Sequence, residues 1–118
     1  PPYHLIADDF LVGNPGVQAS NLFIRLSTIL EAGCFDESLQ SCTDRDLCIR
    51  LSQLPDLKYG IVKRPTVLHY ADSSRPRLSN PMSPERKAGL DAFYLKYRHM
   101  MSEDQHQRFL ERAYRYFG

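Results

Sequence analysis

Two carboxylates, Asp44 and Asp46, stand two residues apart in the run Thr43-Asp44-Arg45-Asp46-Leu47-Cys48-Ile49-Arg50-Leu51. The run marks a loop turning into an apolar-faced helix, a place where acids can be set for chemistry as well as for solvation. Asp44 either caps the helix or stands just inside its first turn, where the partial positive charge of the N-terminus favours an ionised carboxylate. Such a group stays charged at neutral pH. Asp46 precedes Arg50 by four residues, the acid-before-base order of a favourable pair on a helix surface. That pairing leaves Asp44 to face a substrate. Capping alone is the competing explanation for acids in a first helical turn.

The elements that must position these acids show as patterns. Residues 26–32 carry Leu26, Ile29 and Leu30 at helical spacing and are closed by Gly33, as where a helix ends in a positive φ. Residues 44–54 set Leu47, Cys48, Leu51 and Leu54 on one side and Arg45, Arg50 and Gln53 elsewhere. The expectation is a helix whose apolar side rests on a sheet and so aims its acidic start. Gly13-Asn14-Pro15-Gly16 is a loop signal, and residues 17–25, rich in branched and aromatic side chains, are expected to form a strand. Further short strands are expected at residues 58–62 and 66–70, the second with Val67 and His69 on one face. Residues 71–79 are polar and broken by Pro76, a candidate lid. Within them, Arg75 and Arg77 are either phosphate contacts, for which guanidinium donors are suited, or solvated loop charges.

The end of the chain reads as two helices. Ser83-Pro84 is a cap followed by Pro at the first helical position, and Leu90, Phe93, Tyr94, Tyr97 and Met101 then recur at helical spacing. Ser102 with Gln105 has the form of a capping box, ahead of an apolar face with Phe109, Leu110, Ala113, Tyr116 and Phe117. These stripes read as core or oligomer contacts. The basic Lys96, Arg98, Arg108, Arg112 and Arg115 beside them leave a membrane-surface or partner role as the lesser reading. Residues 1–18 are expected to be irregular, with Asp8-Asp9 as surface or turn acids.

At 118 residues the chain has room for one small domain. A net charge of +1 gives no reason to expect nucleic acid as a partner. No run of about 18 apolar residues is present to cross a membrane, and no signal-peptide pattern opens the chain. The three cysteines, Cys34, Cys42 and Cys48, lack C-x-x-C spacing. They argue against a zinc site or a disulfide framework and fit a reducing, cytoplasmic compartment. Cys48 reads as a small buried apolar group, and Cys42 as a loop thiol or a group near the site.

Four pieces follow one another in order: Asn21-Leu22-Phe23-Ile24-Arg25, the helix at 26–32 closed by Gly33, Phe35-Asp36-Glu37, and Thr43-Asp44-Arg45-Asp46. Together they resemble the C-terminal half of the family 2 glycosyltransferases. That family runs through a strand ending in Arg, a short helix ending in Gly, a Gly-Phe-Asp-Glu-like turn and a Glu-Asp-x-Asp helix start. Thr43 stands where the family usually has Glu. The resemblance implies an α/β fold, the C-terminal part of a GT-A (Rossmann-like) domain, with residues 1–80 as its acceptor-side half and 81–118 as a helical extension. It implies a nucleotide-diphospho-sugar donor, a hydroxyl acceptor on a glycan, lipid or protein, a divalent metal (Mg²⁺ or Mn²⁺), and inversion at the anomeric carbon.

In that reading Asp44 is the general base, Thr43 borders the acceptor, and Asp46 supports either the acceptor or the helix start. His69 completes the metal site and Arg75 and Arg77 close over the diphosphate, while Gln18, Ser20 and Asn21 offer hydrogen bonds near the sugar. Asp8-Asp9 is not the family's Asp-x-Asp metal motif, which lies far upstream of the Phe-Asp-Glu turn. The remaining metal ligands are expected upstream of this chain, which is expected to be inactive alone. The alternative is a non-catalytic interaction module that pairs with another copy or a partner through exposed strand edges or its aromatic helices.

Overall fold

The computed structural model describes residues 4–67 and 82–117. Among them every regular element is helical: α1 (Asp8–Leu11), α2 (Leu26–Glu31), α3 (Thr43–Ser52), α4 (Pro84–Tyr97) and α5 (Glu103–Phe117), with single 3₁₀ turns at Ala19–Asn21 and Arg98–Met100. No strand occurs among the described residues. The expected α/β, GT-A-like sheet is therefore replaced by a small helical domain, and the strand edges expected to recruit another chain are absent there.

The reason is local at residues 17–25. Asn14 holds both backbone groups of Val17, donating from Nδ2 to its carbonyl at 2.6 Å and accepting its N–H on Oδ1 at 2.8 Å. Asn21 accepts the Gln18 N–H on Oδ1 at 2.9 Å and donates to the Gly16 carbonyl at 3.1 Å. Side-chain amides thus take the groups a strand would give to its neighbour, and the chain turns. Leu22 and Arg25 are extended, but no strand among the described residues lies alongside to pair with them. Residues 58–62 are likewise irregular. Of the strand expected at 66–70, Thr66 and Val67 are irregular and the remainder lies outside the described residues.

Where helix signals are local they are met. Ser83 Oγ accepts the Arg86 N–H at 3.1 Å with Pro84 at the first helical position, and Ser102 and Gln105 exchange two hydrogen bonds at 2.8 and 3.2 Å. Gly33 follows α2 at φ +89°, a left-handed conformation that favours glycine. The face of α2 expected to pack is largely open, with Leu26 and Leu30 exposed.

The core is formed by Phe10, Leu11, Val17, Cys48, Ile49, Phe93, Tyr97, Met101 and Phe109, so the stretches before and after position 81 meet in one interior. α1 packs on α3, and α4 on α5. α1 was not expected from sequence: it has four residues and no side-chain cap. It forms because Phe10 and Leu11 are buried and because Arg45 closes its end. The Arg45 guanidinium donates to the Phe10 carbonyl at 2.9 and 3.1 Å and to the Leu11 carbonyl at 2.9 Å, a cation at a helix C-terminus. Asp8 accepts from Gln105 Nε2 at 3.0 Å, which joins α1 to the start of α5.

Gly89 lets α4 approach the loop before α3. A Cβ there would stand 2.5 Å from the Ser41 nitrogen and collide with Oγ of the same residue. Gly89→Ala is expected to destabilise the domain by about 1–3 kcal/mol through overpacking, although Ala is the better helix former by about 1 kcal/mol. Urea unfolding checks this: the midpoint should fall, and a raised midpoint would show that the Ser41 loop yields.

Candidate functional site

The first turn of α3 carries both candidate acids, and the fold separates them. Cys42 precedes the helix in a left-handed conformation, φ +63°, and its carbonyl accepts the Asp46 N–H at 3.0 Å. Asp44 therefore stands inside the first turn, where Oδ1 accepts the Arg45 N–H at 2.8 Å. That bond satisfies one of the orphan donors of the helix end and fixes the carboxylate.

Asp46 turns inward and is fully buried. One oxygen accepts from Arg50 Nε and Nη2 at 3.1 and 2.8 Å. The other meets Lys96 Nζ at 2.7 Å and takes a short hydrogen bond from the Tyr97 hydroxyl. The expected Asp46–Arg50 pair exists, but as part of an interior network and not on a helix surface. Arg50 Nη1 also donates to the Ala32 carbonyl at 2.6 Å, just past α2. Lys96 bridges to Asp36 at 2.7 Å, and Asp36 accepts from the Ser38 N–H and hydroxyl at 2.9 and 2.6 Å. Asp46 thus supports the helix start and does not face the cleft.

The titration of this network follows from its geometry. The hydrogen bond from Lys96, then those from Ser38, hold the Asp36 carboxyl well below the usual carboxylate range. Burial, then the Asp46 hydrogen bond, pushes the Tyr97 hydroxyl up. Burial pulls Lys96 down, but its two carboxylate partners outweigh it and the ammonium is stabilised. Burial, with the Asp44 charge adding, pushes the Cys48 thiol up to about 12, so Cys48 is an inert apolar group.

On the other side of α3, Asp44 borders a cleft of about 400 Å³, a volume in the range of small-molecule sites. The loop residues Gly13 and Gln18 form one wall, Ser41 and Cys42 the floor beside Asp44 and Arg45, and Arg86 of α4 with Arg112 of α5 the remainder. Asp44 is the only carboxylate among the described residues lining it. Gly13 admits the Arg112 guanidinium, whose Nη1 would lie 3.2 Å from a Cβ at that position. Arg45 is almost wholly buried, stacked with its Cζ 4.2 Å from the centre of the Phe93 ring.

Of the residues singled out from sequence, Asp44 and Gln18 reach the cleft; Thr43 is adjacent in the chain but does not line it, and the Asn21 side chain is spent on the loop. His69, Arg75 and Arg77 lie outside the described residues. Among the described residues no group of three His, Cys, Asp or Glu side chains is arranged to hold a metal ion. Arg45, Arg86 and Arg112 were missed as site residues. Arg45 had a signal: it lies three and four residues before Cys48 and Ile49, on the side of the helix that is buried.

No helix among the described residues is long and apolar enough to cross a membrane. No protein-family profile, curated protein or solved structure matches the chain.

Asp46→Ala takes the carboxylate from Arg50 and from the buried Tyr97 hydroxyl, while Lys96 keeps Asp36 and Arg50 keeps the Ala32 carbonyl, and it is expected to cost about 1–3 kcal/mol in urea unfolding. A loss below about 1 kcal/mol would mean that the interior has rehydrated the cations. The network also sets a pH window. Asp36 is depressed from 3.8, so its contribution is complete above that pH and is lost as the pH falls below it. Tyr97 is raised from 10.0, so its contribution is present below that pH and is lost above it. Stability measured across pH should fall on both sides, with Asp36→Asn flattening the acid limb and Tyr97→Phe the alkaline one. Limbs unchanged in both variants would contradict this assignment.

Proposed function

We propose that this chain supplies the acceptor-side base of a sugar-transfer reaction, with Asp44 taking the proton of an acceptor hydroxyl. The observation that carries the reading is a carboxylate fixed by the Arg45 N–H at the start of α3 and bordering a ligand-sized cleft. The reading rests on this geometry and on the four family 2-like sequence pieces, not on the fold, in which every regular element among the described residues is helical.

In the reaction, the acceptor oxygen attacks the anomeric carbon of a nucleotide-diphospho-sugar from the face opposite the leaving group. The bond from that carbon to the diphosphate breaks, and the diphosphate departs with the electron pair. The hydroxyl proton passes to Asp44 as the new bond forms, and a well-placed base contributes about 10²–10⁴-fold to such a step. Asp46, Lys96 and Tyr97 hold the first turn of α3 and act as positioning residues. The divalent metal that the resemblance implies would stabilise the departing diphosphate.

A second reading, a non-catalytic interaction module, is favoured by Phe23, Leu26 and Leu30, which expose apolar side chains on and just before α2. The two separate on one experiment, performed on the polypeptide that naturally carries these residues and following nucleoside diphosphate release from nucleotide-sugars. Asp44→Asn is expected to lower turnover about 10²–10⁴-fold while leaving nucleotide affinity unchanged. Near-normal turnover in that variant removes Asp44 from the base role, and no release from any nucleotide-sugar by the unaltered polypeptide favours the interaction module.

A further inference from the structure

Arg45 and Arg112 line the cleft with Asp44, the only carboxylate among the described residues lining it. Arg45 is 8% exposed, yet its guanidinium meets two main-chain carbonyls, the Cys42 sulfur at 3.8 Å and the Phe93 ring. Among the described residues it has no carboxylate in ion-pair contact. A buried cation is ordinarily paired with an anion, because burial disfavours charge. Burial lowers the proton affinity of Arg45, Cys42 acts against it, and the smaller effects of Arg112 and Asp44 oppose each other. The two cations line one cleft.

Arg112 extends the argument to the exposed side. On the same helix Arg108 is paired with Asp104 at 2.8 Å, and Glu111 accepts from Gln107 at 3.1 Å. Arg112 has no ion-pair or hydrogen-bond partner among the described residues and lies against Gly13 at the cleft wall. A guanidinium binds carboxylates and phosphates through two parallel N–H donors. The N-terminus of α3 adds positive potential on the same side of the cleft.

We infer that the acceptor filling this cleft is anionic, a hydroxyl compound bearing a carboxylate or a phosphate that Arg112 grips while a hydroxyl faces Asp44. This deepens the sugar-transfer reading and rests on it for the word acceptor; the anion site stands on the charges alone. An acidic group held at the cleft wall orients the hydroxyl relative to the base, the positioning that converts a collision into a directed step.

Calorimetric titration of the chain with three sugars of one ring size tests this: glucuronate, glucose 6-phosphate and glucose. The expected result is binding of one or both acidic sugars, weakened at least about tenfold by Arg112→Gln, partly restored by Arg112→Lys, and reduced by salt. Preference between glucuronate and the phosphate identifies which acid the site takes. Glucose binding as well as the acidic sugars, no binding by any of the three, or undiminished binding in Arg112→Gln would each overturn the inference. Displacement of the acidic sugar by uridine diphosphate would also overturn it, because the cleft would then hold the donor. Binding does not depend on turnover, so a failure here with Asp44 still essential defeats only the anion site. The reverse outcome defeats only the sugar-transfer reading.

Discussion

A buried carboxylate lies where α3 meets α4, and the placement of α3 depends on how it is met. Asp46 is sealed from water, and burying an isolated carboxylate would cost several kcal/mol. Arg50 from its own helix, and Lys96 and Tyr97 from α4, meet it from different directions. Each contact is short and directional, so α3 can neither rotate nor slide on α4 without stranding a charge. The same cations reach outward, Arg50 to the end of α2 and Lys96 to the Asp36 turn. One buried group thereby fixes three neighbouring segments.

Arg45 does complementary work at the same helix start. It closes α1, stacks on Phe93 and turns the helix start toward α5. The first turn of α3 is thus pinned by consecutive residues, Arg45 and Asp46, while Cys42, Asp44 and Arg45 line the cleft. A carboxylate on such a support has little freedom to wander, which is what the proposed role as a base would require. The apolar contacts of Ile49, Phe93, Tyr97 and Phe109 stabilise the domain; the polar contacts decide which way its one cleft carboxylate points.

What sequence conveys about this molecule divides along the range of the interactions. Ser83 with Pro84, Ser102 with Gln105, and Gly33 are signals settled within a few residues, and each ends or starts a helix as its chemistry requires. A strand is different, because it exists only with a partner. Residues 17–25 have the composition of a strand, but the amides of Asn14 and Asn21 meet the backbone first. α1 was illegible because its stability comes from Arg45, far away in sequence. Asp44 was legible as a candidate by its place in the first turn. Asp46 was misplaced onto the surface because i,i+4 spacing reports that two side chains are neighbours, not whether a second helix covers them. The arginines of the cleft wall come from three separate elements, and no local pattern joins them.

If Asp44 is the base proposed above, Asp46 acts on the chemistry only through the position of Asp44. A double-mutant cycle measures this directly: turnover of the unaltered polypeptide, Asp44→Asn, Asp46→Asn and the double variant, each confirmed as folded by circular dichroism. If Asp46 is a positioning residue, Asp46→Asn should slow the unaltered protein and cost nothing further once Asp44 is gone. Equal losses in both backgrounds would show that the two acids act independently, and would contradict the account.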